Sequence, residues 1–93
     1  MLNYALVGCG RIAVRHSDLL GNGEIAGARL AAVCDVRIDR ARAIGEKYDV
    51  PYFDDMHEMM SKASVDVVSV LTESGYHAAN VLDLAPYGKN MQV

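Results

Sequence analysis

The 93-residue chain is 52% hydrophobic and 23% charged with a formal net charge of −3, a composition that fits one globular core and not two. Its nine Lys and Arg residues are scattered among acids, so no face concentrates the positive field that nucleic-acid binding requires. No run of about 18 apolar residues offers a membrane span.

The chain begins a strand pattern at once, without the basic region and cleavage site of a signal peptide. A cytoplasmic protein is the expectation, with Cys9 and Cys34 as buried reduced thiols and no disulfide scaffold or metal site. So short a chain buries about 60 to 65% of its unfolded surface, which predicts marginal stability unless a ligand or partner domain covers part of it.

In chain order, Asn3 to Val7 is a short apolar run bounded by Gly8, the mark of a buried parallel strand. Ile12, Ala13, His16, Leu19 and Leu20 then recur at helical spacing until Gly21, Asn22 and Gly23 stop the pattern. His16 reads as a packing residue on that helix. Leu30 to Cys34 is a second buried strand with Asp35 at its carboxyl end. Arg37 to Tyr48 reads as a helix with Ile38, Ala41, Ile44 and Tyr48 inward, ended before Pro51.

Tyr52 and Phe53 make a stub of strand, and Asp54 or Asp55 caps a short helix through Met56, Met59 and Met60, leaving His57 toward solvent. Val65 to Leu71 is the longest β-branched run and predicts a central strand. A last helix starts near Ser74 or Gly75 and carries Ala78, Val81, Leu82 and Leu84 inward, with Pro86 and Gly88 ending it before a strand from Asn90 to Val93. Strands too apolar to have a wet face, alternating with helices, predict an α/β fold with a doubly wound parallel sheet.

The informative motif is GCGRIA, Gly8 to Ala13, between the first strand and the first helix. Gly8 permits the tight turn, Gly10 lets backbone approach a pyrophosphate, and Ala13 keeps the helix close to the sheet. Unpaired amides at that helix start, where Arg11 and Ile12 stand, complement the phosphate charge. Asp35 lies 22 residues beyond Ala13, near the roughly 20 expected of a carboxylate that accepts hydrogen bonds from the adenosine ribose. That carboxylate repels a 2′-phosphate and favours NAD over NADP, although Arg37 just beyond it is able to pair with such a phosphate. Cys9 occupies a variable position of the turn and reads as packing.

With these residues placed, the chain resembles the glucose-fructose oxidoreductase / inositol dehydrogenase (Gfo/Idh/MocA) family of sugar dehydrogenases. The resemblance is carried by ALVGCGRIAVRH, LAAVCD, AIGEKYDVPYFDDMHEMM, VDVVSVLT and HAANVLDLAPYGKNMQV, and spans nearly the whole chain. It implies that residues 1–93 are the NAD-binding Rossmann domain of a longer two-domain, homo-oligomeric oxidoreductase. The strand after Gly88 and Lys89 would lead into a Glu-Lys-Pro motif with the catalytic lysine, and a second α/β domain would hold the sugar.

Catalytic residues are therefore expected beyond Val93, and Lys89 is not one of them. The resemblance also implies that the loop of Thr72, Glu73 and Ser74 lies where the nicotinamide ribose rests. His77, one turn into the last helix, is either a ligand to cofactor or substrate or only a polar helix-start residue. TESG followed by Tyr and His departs from the family's usual Thr-Pro-Asn and is similar to the UDP-N-acetylhexosaminuronate 3-dehydrogenases of lipopolysaccharide biosynthesis. A myo-inositol or hexose dehydrogenase is the competitor within the family. From other classes, a non-catalytic NAD(H)-binding regulatory module shares the glycine turn, whereas a methyltransferase would need a further glycine where Ile12 stands.

Overall fold

A computed structural model describes residues 1–72 and 74–92. The elements run β1 (Leu2–Val7), α1 (Arg11–Gly21), β2 (Ala28–Cys34), α2 (Ile38–Tyr48), β3 (Tyr52–Phe53), α3 (Met56–Lys62), β4 (Val67–Val70), α4 (Ser74–Leu84), a 3₁₀ turn (Ala85–Tyr87) and β5 (Asn90–Gln92). All five strands are parallel, in the order β3-β2-β1-β4-β5. That order reverses between β1 and β4, the switch point beyond whose strand ends ligands bind in such sheets.

Strand residues alternate between the two faces. Leu6 and Val33 pack with Ala13, Leu20, Ala41 and Ile44, beneath α1 and α2. Ala5, Val7, Ala32, Cys34, Val68 and Val70 pack with Met59 and Leu84, beneath α3 and α4. Both faces are covered, which is why the strands read as unbroken apolar runs.

Local chemistry sets the element ends. Asp55 caps α3, its side chain accepting the His57 amide at 2.8 Å. Asp49 closes α2 in the left-handed region, φ 55°. Pro86 stands in the 3₁₀ turn that succeeds α4, and Gly88 ends it at φ 67°. His57 is exposed as expected, yet its Nδ1 lies 2.6 Å from the Tyr87 hydroxyl.

Two apolar residues expected inward stand outward, and a third on α1 is exposed as well. Leu82 is 73% exposed, because Val81 and Leu84 share a face at i, i+3 and Leu82 falls off it. Ile38 is 44% exposed at the first position of α2. Leu19 is exposed beside the buried Leu20 on α1.

Two glycines make the α1–α2–β3 layer possible. A Cβ on Gly21 would lie 2.3 Å from the Tyr48 ring, and one on Gly45 would lie 2.6 Å from the Tyr52 ring and 2.9 Å from the Val50 carbonyl. The Tyr48 hydroxyl in turn donates to Asp18, which also pairs with Lys47 at 3.1 Å, tying α1 to α2. Gly45→Ala is expected to destabilise the fold by about 1–3 kcal/mol, although alanine is the better helix former by about 1 kcal/mol at an unhindered site. A urea titration followed by circular dichroism measures this as a lowered midpoint.

Candidate functional site: a cleft at the switch point

β1 ends at Val7, and the chain turns through Gly8, Cys9 and Gly10 into α1. Gly8 is buried with φ +98°, and its N–H donates to the Cys34 carbonyl at 2.8 Å. A Cβ there would lie 2.8 Å from both the Leu71 carbonyl carbon and the Thr72 nitrogen. Gly8 is thus required twice, by its dihedral and by the chain that leaves β4 directly above it.

Gly10 is different. It sits at the N-cap of α1 with φ −80°, a value any residue adopts, and nothing lies within 4 Å of where its Cβ would stand. No packing among the described residues demands a glycine at this position. What its missing side chain leaves is open space before the helix start, whose first amides lack intrahelical partners.

Asp35 closes the other side. Its Oδ2 accepts the Cys9 backbone N–H at 2.8 Å, and its Oδ1 accepts the Arg37 N–H at 2.8 Å. One carboxylate therefore pins the glycine turn and the start of the β2–α2 connection together. Each oxygen keeps a further lone pair for a ligand hydroxyl.

These parts line a cleft of about 1140 Å³, bounded by Gly8, Gly10, Asp35, Arg37 and Arg40 on one side and by Met56, His57, Thr72 and Asn80 on the other. Thr72 donates its hydroxyl to Asn80 Oδ1 at 2.7 Å. Asn80 went unremarked in the sequence because an amide within an apolar helix pattern carries no motif. Arg11 and Ile12 stand in the first turn of α1, and Ser74 and His77 in the first turn of α4. Glu73 lies outside the described residues.

Cys9 and Cys34 are buried on opposite sides of the sheet, Cys9 among the α1–α2 residues and Cys34 among those of α3 and α4. The Cys9 thiol donates to the Cys34 carbonyl at 3.4 Å. Burial pushes the Cys9 thiol from 9.0 up to about 12, with the Asp35 carboxylate adding to the effect, and burial raises Cys34 to about 12 as well. Both are packing residues. Among the described residues no group of His, Cys, Asp or Glu is arranged to hold a metal ion, and no helix is long and apolar enough to cross a membrane.

A parallel sheet that reverses at β1 and β4, a glycine turn at that point and an acid at the end of β2 define a dinucleotide-binding Rossmann domain. A sequence profile of the oxidoreductase family with an NAD-binding Rossmann fold, Gfo/Idh/MocA, matches residues 2–93, and the chain belongs to that family. The inositol 2-dehydrogenase of Burkholderia ambifaria (strain MC40-6) is 36% identical over 90 residues, 95% of this chain and 26% of that protein. A probable dehydrogenase from Thermotoga maritima superposes with a TM-score of 0.86 at 34% identity, over 97% of this chain and 27% of that one. The WlbA dehydrogenase from Bordetella pertussis, crystallised with NADH and UDP-GlcNAcA, superposes at 0.85 with 25% identity, again over 97% and 27%.

The chain thus spans about a quarter of the length of these relatives. NAD is the cofactor of the domain, and the open cradle before Gly10 and the carboxylate at the cleft edge both suit it.

Two outcomes follow from the turn and its thiols. Gly10→Ala should change stability by less than about 1 kcal/mol while weakening dinucleotide binding; Gly8→Ala should cost about 3 kcal/mol or more in stability. Denaturation midpoints set beside dinucleotide titrations separate the two. In the native protein at pH 8 neither thiol should alkylate faster than the chain unfolds, whereas both should react in urea, as mass spectrometry would read. Because both folded pKa values are raised, the stability they contribute is intact below about pH 9. It is lost as the pH climbs from there toward 12 and the unfolded chain ionises first.

Proposed function

We propose that this chain is the cofactor-binding domain of an NAD-dependent dehydrogenase that oxidises a ring hydroxyl of a sugar or nucleotide sugar. The observation that carries the reading is the pairing of Gly10, a glycine that no packing among the described residues requires, with Asp35, whose carboxylate lines the same cleft. In it Gly8, Gly10, Arg11 and Ile12 hold the pyrophosphate at the start of α1. Asp35 accepts from the adenosine ribose, and Thr72, Glu73, Ser74 and His77 border the nicotinamide half.

NAD, when bound, supplies a hydride acceptor at the nicotinamide ring. The chain's own residues orient the dinucleotide and shield it from water. The base that takes the hydroxyl proton and the pocket for the sugar come from residues outside these 93, so the domain by itself binds NAD without turnover. The whole protein on this reading is cytoplasmic and homo-oligomeric.

Within the class, the TESG stretch with its following His77 favours a UDP-N-acetylhexosaminuronate 3-dehydrogenase of lipopolysaccharide biosynthesis. The relation to WlbA, crystallised with NADH and UDP-GlcNAcA, supports that choice. The greater identity to an inositol 2-dehydrogenase favours a cyclitol instead.

A side-by-side titration with NAD and NADP, followed by the amide resonances of Gly8, Gly10, Asp35 and Thr72, tests the cofactor site. Saturable shifts with NAD and at least about tenfold weaker response to NADP, about 1.4 kcal/mol, are expected. Equal response to both would remove Asp35 as the discriminating group, and no response would remove the site.

A further inference from the structure

The hydroxyl of Thr72 is not free to choose its role. A threonine hydroxyl has one hydrogen to donate and two lone pairs, and in an open cleft it would rotate to suit either a donor or an acceptor. Here it lies 2.7 Å from Asn80 Oδ1, an oxygen that only accepts. At its other end Nδ2 donates to the Met56 sulfur at 3.9 Å, a contact that favours this orientation of the amide because a thioether offers no hydrogen to donate. The reversed amide would donate to the Thr72 hydroxyl instead of accepting from it, but would set its oxygen against the lone pairs of that sulfur and lose the second contact.

Three elements meet in this chain of contacts: Met56 opens α3, Thr72 follows β4 and Asn80 lies on α4. All three side chains are partly buried, and all three residues line the cleft. The Thr72 backbone nitrogen stands 2.8 Å from the position a Gly8 Cβ would take, so the hydroxyl belongs to the wall facing the glycine turn.

We infer that Asn80 is a positioning residue that commits the Thr72 hydroxyl to accepting hydrogen bonds. This point of the wall then takes an O–H or N–H of the dinucleotide and turns away a phosphate oxygen. The inference rests on the proposed NAD site, and it adds a direction to it. Ribose hydroxyls and the carboxamide N–H₂ meet an acceptor at Thr72, while the pyrophosphate, which only accepts, is left to the amides of the glycine turn.

The test is a double-mutant cycle on the protein, with Kd for NADH read by its fluorescence and by calorimetry. Thr72→Val removes the acceptor, and Asn80→Leu frees the hydroxyl to rotate; each is expected to weaken binding about tenfold. If Asn80 acts through Thr72, the double variant binds no more weakly than Thr72→Val alone. Asn80→Asp keeps an accepting oxygen, and at high ionic strength, where its added charge is screened, it should restore binding to within about threefold of wild type.

Wild-type affinity in Asn80→Leu overturns the inference. So does a loss that simply adds to that of Thr72→Val, or an Asn80→Asp protein as weak as Asn80→Leu. If the unaltered protein fails to bind NADH, the cofactor reading falls and this inference with it; if it binds and only the cycle fails, the reading stands and the role of Asn80 alone is lost.

Discussion

The site depends on how closely two chain segments approach over Gly8. β4 leaves the sheet directly above the turn that follows β1, with no room between them for even a methyl group. Interiors are packed at the density of organic crystals, so this contact fixes the height of the turn above the strand ends. Asp35 then fixes its lateral position, by accepting the Cys9 amide on one oxygen and the Arg37 amide on the other. Hydrogen bonds to a charged acceptor are stronger than neutral ones by roughly twofold. A backbone turn that would otherwise be among the looser parts of the chain is thereby held from above and from the side.

This arrangement gives Asp35 two duties. As a ligand group it is expected to select a ribose bearing free hydroxyls. As a structural group it anchors the glycine turn by accepting the Cys9 amide. Any side chain that replaces it in pursuit of a different dinucleotide alters both at once, because the oxygens that would meet the ribose are the ones that carry the backbone. On the proposed reading, recognition of the adenosine end is thereby coupled to the geometry of the glycine turn.

Much of this was readable in the residues. The order of strands and helices followed from short apolar runs punctuated by glycine and proline, and the spacing from Ala13 to Asp35 pointed to the acid before any contact was known. What the spacing did not carry was partnership across the fold. Gly8 was read as a turn former, but its close neighbour Leu71 is far along the chain and leaves no local trace. Gly45 is a glycine because Tyr52 and Val50 press on it, a reason that exists only after β3 has docked. Asn80 carries no motif at all. Ile38 and Leu82 were misread for the opposite reason: they are apolar and at near-helical spacing, but periodicity reports chemistry and not what lies beneath a given face.

The pairing of β1 with β4 also bears on the order in which the molecule assembles. Asn3 and Asp66, which exchange hydrogen bonds at the foot of these strands, are 63 residues apart. During synthesis β1, α1 and β2 emerge together and can pair locally, but the wall over Gly8 is added only after most of the domain has left the ribosome. Contacts of such separation carry a loop-closure cost and slow folding. Until β4 arrives, β1 keeps one edge of its backbone unsatisfied and the glycine turn has no ceiling. A nascent chain therefore passes through an interval in which an open strand edge is its main hazard.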